Sequence, residues 1–236
     1  MTDIRAVLLD FGGTLFAMPP GYGPYLRAAE SAGESMTEDQ AADLARRFQQ
    51  TMSDPTVIAM EEVRDRSPQA HRTALITRYR MAGMSEKLAD ALYAQLVAEA
   101  TWEVFSDTAS TLRTMHAAGL RLAVVSNIGW DLRRHFVRAN IHDLIDAYVL
   151  SCELGIEKPQ QLMFTTAAQA LGVQAEQCLM VGDDPYSDGA AIRFGMPTLL
   201  LPPHPGGDRG LGLVLRCLGL AAGADTTDRL RDAVEA

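Results

Sequence analysis

From Phe105 onward, short apolar runs alternate with helix-patterned stretches, and this alternation restricts the fold more than any other feature of the sequence. Leu120–Ser126, Ala147–Ser151, Cys178–Gly182 and Thr198–Leu201 have strand length, and Ala6–Asp10 near the N-terminus is a fifth run of the same kind. Asp107–Ala118, Trp130–Ala139, Gln160–Leu171 and Ser187–Phe194 carry the helical pattern between them. Gly119 and Gly172 follow two of these stretches at the C′ position, where a left-handed residue ends a helix. Continuous apolar strands suit a parallel sheet covered on both faces, because each strand is buried from both sides. Strand–helix–strand units join by right-handed crossovers. The expected fold class is therefore α/β, a Rossmann-like parallel sheet with helices on both faces.

Between about Met18 and Phe105 the texture changes to Ala-, Arg- and Gln-rich stretches with helical spacing, notably Thr37–Met52 and Ser85–Glu99. Thr37 and Ser85 are placed to cap helix N-termini. No strand of comparable strength is visible, so the reading is an inserted all-helical domain. The division is residues 1–17 and 106–236 as the core domain and 18–105 as the insert. Gly21-Tyr22-Gly23-Pro24 suits a flexible entry to the insert. The prolines and glycines of 201–210 mark a loop, and a surface helix is expected from about Thr226.

The formal net charge of −9 argues against a nucleic-acid partner, which needs a basic surface. It does not exclude small phosphorylated ligands, because a bound cation reverses the field inside one pocket. Three cysteines, Cys152, Cys178 and Cys217, lie far apart with no C-x-x-C spacing, which suits a reducing cytoplasm. The first ten residues do not read as a secretory leader. The apolar region Gly210–Ala224 is broken by Arg216 and too short to span a bilayer. A monomer or homodimer is expected. Only two lysines occur, Lys87 and Lys158.

Open parallel sheets bind ligands beyond the carboxyl ends of their strands. Those ends carry Asp10, Ser126-Asn127, the loop with Lys158, and Asp183-Asp184. A carboxylate can attack a phosphoryl group. Hard oxygen ligands suit Mg²⁺, and a hydroxyl, an amide and an ammonium suit the phosphoryl oxygens. Taken singly, each has a plainer reading: Asp10 as a helix cap, Lys158 as a solvated loop residue, Ser126-Asn127 as a turn, Asp184 as a surface acid. Asp10-Phe11-Gly12 also spells the kinase magnesium motif, but no Gly-rich loop or H-R-D loop accompanies it.

The order Asp10-Phe-Gly-Gly-Thr14-Leu, Val-Ser126-Asn127, Glu157-Lys158-Pro159 and Val-Gly182-Asp183-Asp184 with Ser187-Asp188 resembles the four motifs of the haloacid dehalogenase-like superfamily. The resemblance covers roughly residues 1–17 and 106–204, and the helical insert resembles that family's type-1 cap. It implies a Mg²⁺-dependent hydrolase of a small phosphorylated metabolite, with Asp10 as nucleophile through an aspartyl phosphate. Asp10, the Gly12 carbonyl and Asp183 would hold the metal, supported by Asp188 or Asp184. Ser126 and Lys158 would bind the phosphoryl oxygens, and Thr14 and Asn127 would order the loops around them.

One position departs from the pattern. Phosphatases that it resembles carry a second aspartate two residues after the nucleophile, which protonates the leaving oxygen and then activates water. Here that residue is Gly12. General acid–base catalysis contributes about 10²–10⁴-fold. Three readings stay open: a phosphatase in which another acid serves, such as Asp184 or a cap residue; phosphonatase-like C–P cleavage through a Schiff base on Lys87; or a catalytically impaired protein that senses phosphate or binds a partner. In the insert, Tyr22, Tyr25, Arg64, Arg66, His71 and Arg72 are candidates for substrate selection. Trp130 and Tyr186, beside motif residues, either line the pocket or pack the core.

Overall fold

The structure, a computed structural model, describes residues 3–202 and 207–220. The described strands are β1 (Ala6–Leu9), β2 (Phe16–Ala17), β3 (Glu103–Val104), β4 (Arg121–Ser126), β5 (Ala147–Leu150), β6 (Cys178–Gly182) and β7 (Thr198–Leu200). Five of them form a sheet in the order β5-β4-β1-β6-β7, and every pairing in it is parallel. Counted within that sheet alone, the order is 3-2-1-4-5, so the chain reverses direction across the sheet beside β1. The strand ends at this reversal open a crevice for ligand.

Alternation along the strands feeds two cores. Val7, Leu9, Leu122, Val124, Leu179 and Val181 face one side of the sheet, and Ala6, Leu8, Ala123, Val125, Cys178 and Met180 face the other. Both sets are buried because helices cover both sides.

The insert holds α1 (Gly23–Ala32), α2 (Glu38–Gln50), α3 (Pro55–Glu61), α4 (Pro68–Met81) and α5 (Glu86–Leu96). Thr37 opens α2 with a reciprocal capping box, its hydroxyl accepting from Gln40 N and its own N–H donating to the Gln40 side chain. Ser85 caps α5 by accepting from Leu88 N at 3.0 Å. These helices bury a core of their own, including Ala28, Leu75, Tyr79, Leu88 and Leu92. The chain leaves for the insert through β2 and returns through β3, and the two pair antiparallel, Phe16 with Val104 and Ala17 with Glu103. Periodicity does not announce β3, because two residues are too few to show a period.

Around the sheet lie α6 (Thr108–Ala117), α7 (Arg133–Arg138), α8 (Ser151–Leu154), α9 (Gln161–Leu171) and α10 (Gly212–Cys217). Gly119 and Gly172 adopt φ of 81° and 67°, as expected of C-terminal glycines. Two expectations change. The helix expected over Ser187–Phe194 is a 3-10 segment, Gly189–Phe194, and the helix expected from Trp130 starts only at Arg133. α8 and α10 are additions. The expected surface helix from about Thr226, and residues 203–206 of the expected loop, lie outside the described residues. None of the three cysteines is in a disulfide, and among the described residues no helix is long and apolar enough to cross a membrane.

Candidate active site

β1 delivers Asp10 to the crevice, and the residues after it fold back tightly. Leu15 N and Phe16 N both donate to Phe11 O, and Gly13 N donates to Phe16 O at 2.8 Å. Gly13 sits at φ 72°, in the left-handed region that glycine tolerates best. A Cβ there would stand 2.2 Å from Asp183 Oδ2, so the close approach of this loop to Asp183 requires a hydrogen at that point. Gly12 is different. Its Cβ would meet only Trp102, at 3.7 Å, an ordinary contact.

Lys158 organises the floor of the site. Its buried Nζ donates to Asp10 Oδ1 at 2.7 Å, to Asp188 Oδ1 at 2.6 Å and to Val125 O at 2.8 Å. Asn127 fixes the peptide of this lysine from both sides: its Oδ1 accepts from Lys158 N at 2.7 Å and its Nδ2 donates to Lys158 O at 2.9 Å. Asp188 Oδ2 accepts from the backbone N–H groups of Asp183 and Asp184, both at 3.1 Å. A carboxylate in this position braces the loop that presents Asp183.

Three carboxylates, Asp10, Asp183 and Asp188, offer oxygens within 4.8 Å of one another. Burial pushes the Asp10 carboxyl up to about 6, with Lys158 pulling it down and Asp188 pushing it further up. Asp183 is also raised, by burial first and then by Asp188. Burial alone would lower the Lys158 ammonium, but Asp10 and Asp188 outweigh it and its pKa is raised. The floor thus holds three acids against one lysine and is short of positive charge. That donor set fits a hard divalent cation.

Ser126 closes β4 buried, at the same cavity wall. Thr14 is fully buried, and among the described residues its hydroxyl has no hydrogen-bond partner. Asp184 is exposed and turns back on its own loop, its Oδ1 accepting from Tyr186 N at 2.7 Å and from Ser187 N at 3.3 Å.

A cavity of about 710 Å³ runs from this floor into the insert. Tyr25, Arg64, His71 and Trp130 line it. Tyr22, Arg66, Arg72 and Tyr186 do not; Arg72 is exposed and pairs with Asp90 at 2.6 Å. Lys87 is exposed on α5 and is absent from the lining. His71 presses on the core, where a Cβ at Gly129 would stand 2.2 Å from His71 Cβ. Its Nδ1 meets Tyr93 Oη at 3.1 Å. Although Asp65 Oδ1 is 3.8 Å away, burial lowers the imidazole to about 4, so the contact is not an ion pair at neutral pH. Beside it, Asp65 N donates to Glu157 Oε1 at 3.0 Å and Asp65 O accepts from Ser151 Oγ at 2.6 Å. The insert is therefore latched to the residue preceding Lys158.

Four residues escape the sequence reading. Arg78 lines the cavity, donating to Glu61 at 2.9 Å and Thr51 at 3.1 Å and lying 4.0 Å over the Phe48 ring. Its spacing from His71 and Leu75 on α4 places it on the buried face, a signal that was available. Asp65, bidentate with Arg64, and Trp102 have no such signal. Nor does Arg209, which donates to Gly13 O and, at 2.7 Å, to Pro202 O.

The profile of the haloacid dehalogenase-like hydrolase family matches residues 4–195. The chain is 27% identical over 214 residues to the ribulose-1,5-bisphosphate 5-phosphatase of Halopiger xanaduensis, across 86% of this chain and 87% of that protein. It is 35% identical over 100 residues to the glyceraldehyde 3-phosphate phosphatase of Methanothermobacter thermautotrophicus, covering 41% and 44% of the two chains. The crystal structure of a haloacid dehalogenase-like (HAD) phosphatase from Thermococcus onnurineus shares the fold, with a TM-score of 0.61 at 19% identity, over 92% of this chain and 99% of that one.

Proposed function

The chain belongs to the haloacid dehalogenase-like hydrolases, and within that family we propose that it is a Mg²⁺-dependent phosphatase of a small phosphorylated metabolite, acting through Asp10. The observation that carries this reading is the gathering of Asp10, Asp183 and Asp188 oxygens within 4.8 Å of one another on the floor of a cavity, with Lys158 paired to Asp10 and Asp188. A phosphoryl group brings negative charge, and against its three acids this floor has only Lys158, with the Arg209 guanidinium acting on Asp183. Mg²⁺, when bound, would supply the missing charge and polarise the phosphoryl oxygens.

In this proposal Asp10 and Asp183 hold the metal with the Gly12 carbonyl. Asp188 supports them by holding Lys158 and the Asp183–Asp184 backbone. Lys158 steers Asp10 through Oδ1 and, with Ser126, takes up phosphoryl oxygens; Asn127 keeps the Lys158 peptide in place, and Thr14 packs the nucleophile loop. Asp10 attacks phosphorus, the leaving oxygen departs, and water then hydrolyses the aspartyl phosphate. Residues 18–105 act as the cap over the core formed by 1–17 and 106–236, excluding water while the reaction proceeds. The exposed position of Lys87 offers no support for Schiff-base chemistry. Three unpaired cysteines suit the reducing cytoplasm.

Phosphate release with Mg²⁺, compared between the protein and Asp10→Asn, tests the reading. The substitution is expected to abolish release, together with a hydroxylamine-labile phosphoryl label on the protein. Asp183→Asn should weaken Mg²⁺ uptake in calorimetry. A label that persists in Asp10→Asn would refute Asp10 as nucleophile.

A further inference from the structure

Two features of the cavity, independent of each other, bear on what leaves when phosphorus is attacked. The first is its size and walls. At about 710 Å³ it lies well inside the ~300–1,000 Å³ range of pockets that enclose drug-sized ligands, far more than a phosphoryl group on three carbons requires. Beyond Asp10 several aromatic side chains line it, Trp102, Trp130, Tyr25, Phe48 and Tyr79, beside aliphatic and charged ones. The ring centroids of Trp102 and Trp130 are 6.1 Å apart, and Trp102 is also 4.9 Å from Phe11, next to the nucleophile.

The second feature is the missing proton donor. Where an acid would project from residue 12, the space is bounded by Trp102 instead. Three polar groups of the lining that could offer a proton have partners of their own. Asp65 gives both oxygens to Arg64, His71 faces Tyr93, and Asp184 is tied to its own turn. An alkoxide leaving without a proton is slow to depart, whereas a phenolate spreads its charge into the ring. The backbone does not impose this arrangement, because Gly12 could carry a Cβ.

We propose that the substrate is a phosphate monoester of a phenol, with the aryl ring held between Trp102 and the aromatic wall of the cap. The proposal rests on the phosphatase reading above. The Asp10 carboxylate forms a bond to phosphorus while the phosphorus–aryloxygen bond breaks. The electron pair stays on oxygen as phenolate, which takes its proton from solvent after release. Water then attacks phosphorus and the bond to Asp10 breaks. Both protons of the water stay with the product as dihydrogen phosphate, and the Asp10 carboxylate is restored.

Phenyl phosphate and cyclohexyl phosphate have similar size and differ in the leaving group, so they separate the chemistry from the fit. With Mg²⁺, kcat/KM for phenyl phosphate should exceed that for cyclohexyl phosphate by at least ~10²-fold, the lower value of an acid catalyst. Gly12→Asp should narrow the ratio by raising the cyclohexyl rate. The chain has two tryptophans, and both line this cavity, so intrinsic fluorescence reports its occupancy without turnover. Phenylphosphonate should quench it at concentrations at least tenfold below methylphosphonate, and Trp102→Ala should erase that difference. Equal kcat/KM for the two esters, or equal binding of the two phosphonates, overturns the aryl proposal and leaves the phosphatase reading standing. No Asp10-dependent phosphate release from any ester overturns both.

Discussion

The floor and the walls of the cavity are built by different means. On the floor, Asp10, Ser126, Asn127 and Asp183 sit at or just beyond strand ends and Lys158 on the loop after α8, and backbone groups share in holding them: Val125 O and Lys158 N and O, with the N–H groups of Asp183 and Asp184 holding Asp188. The walls consist mostly of side chains from the helices of the insert, with Trp102 and Trp130 from connecting segments, held by ring contacts and by pairs such as Arg78–Glu61. A parallel sheet fixes its strand ends relative to one another through the ladder, so a floor built there tolerates little change. Helix-borne side chains can be exchanged singly. The difference separates what must stay fixed, the chemistry at phosphorus, from what can vary, the leaving group.

The largest expected effect lies on the floor. Lys158→Met removes the cation between Asp10 and Asp188 and leaves buried carboxylates unpaired, which costs about 3–5 kcal/mol. Urea unfolding without added metal measures it, and a loss below about 1 kcal/mol would show that these acids do not depend on the lysine.

Next is the seam between floor and wall, at His71. Its folded-state pKa, about 4, lies below its ordinary 6.5. In that interval the unfolded chain binds a proton that the folded one does not. The associated stability is therefore complete above pH 6.5 and is lost as pH falls toward 4. The effect amounts to about 2–3 kcal/mol. Unfolding at pH 7.5 and pH 4.5 should show this slope in the protein and a shallower one in His71→Gln; equal slopes would remove His71 as the cause.

The smallest effect sharpens the comparison within a single dipeptide. Gly13→Ala should cost roughly 1–2 kcal/mol from its left-handed backbone alone and displace Asp183, weakening Mg²⁺ uptake. Gly12→Ala should stay within about 0.5 kcal/mol. Thermal melts and Mg²⁺ titration of the two variants decide it, and equal costs would mean the two glycines are constrained alike.

The same contrast governs what could be read from sequence. Floor residues at strand ends announce themselves because they follow recognisable apolar runs: Asp10 after Ala6–Leu9, Asp183 after Cys178–Gly182. Wall residues acquire their places through contacts between segments remote in the chain. Nothing near Trp102 says that it will face Gly12, and nothing near Asp65 says that its N–H will meet Glu157, 92 residues away. Arg78 was partly legible from its helical phase. The 3-10 segment after Asp188 was not, because it depends on the turn in which Asp184 O accepts from the N–H groups of Asp188 and Gly189.

Arg209 braces the loop after Asp10 at Gly13 from 196 positions downstream. A chain emerging from the ribosome N-terminus first, at ~5–20 residues per second, presents Asp10 roughly 10–40 s before that brace exists. For most of that interval β1 lacks its β6 neighbour as well as Arg209. Assembly of this site therefore follows the order of synthesis, with Asp10 made first and its support arriving late.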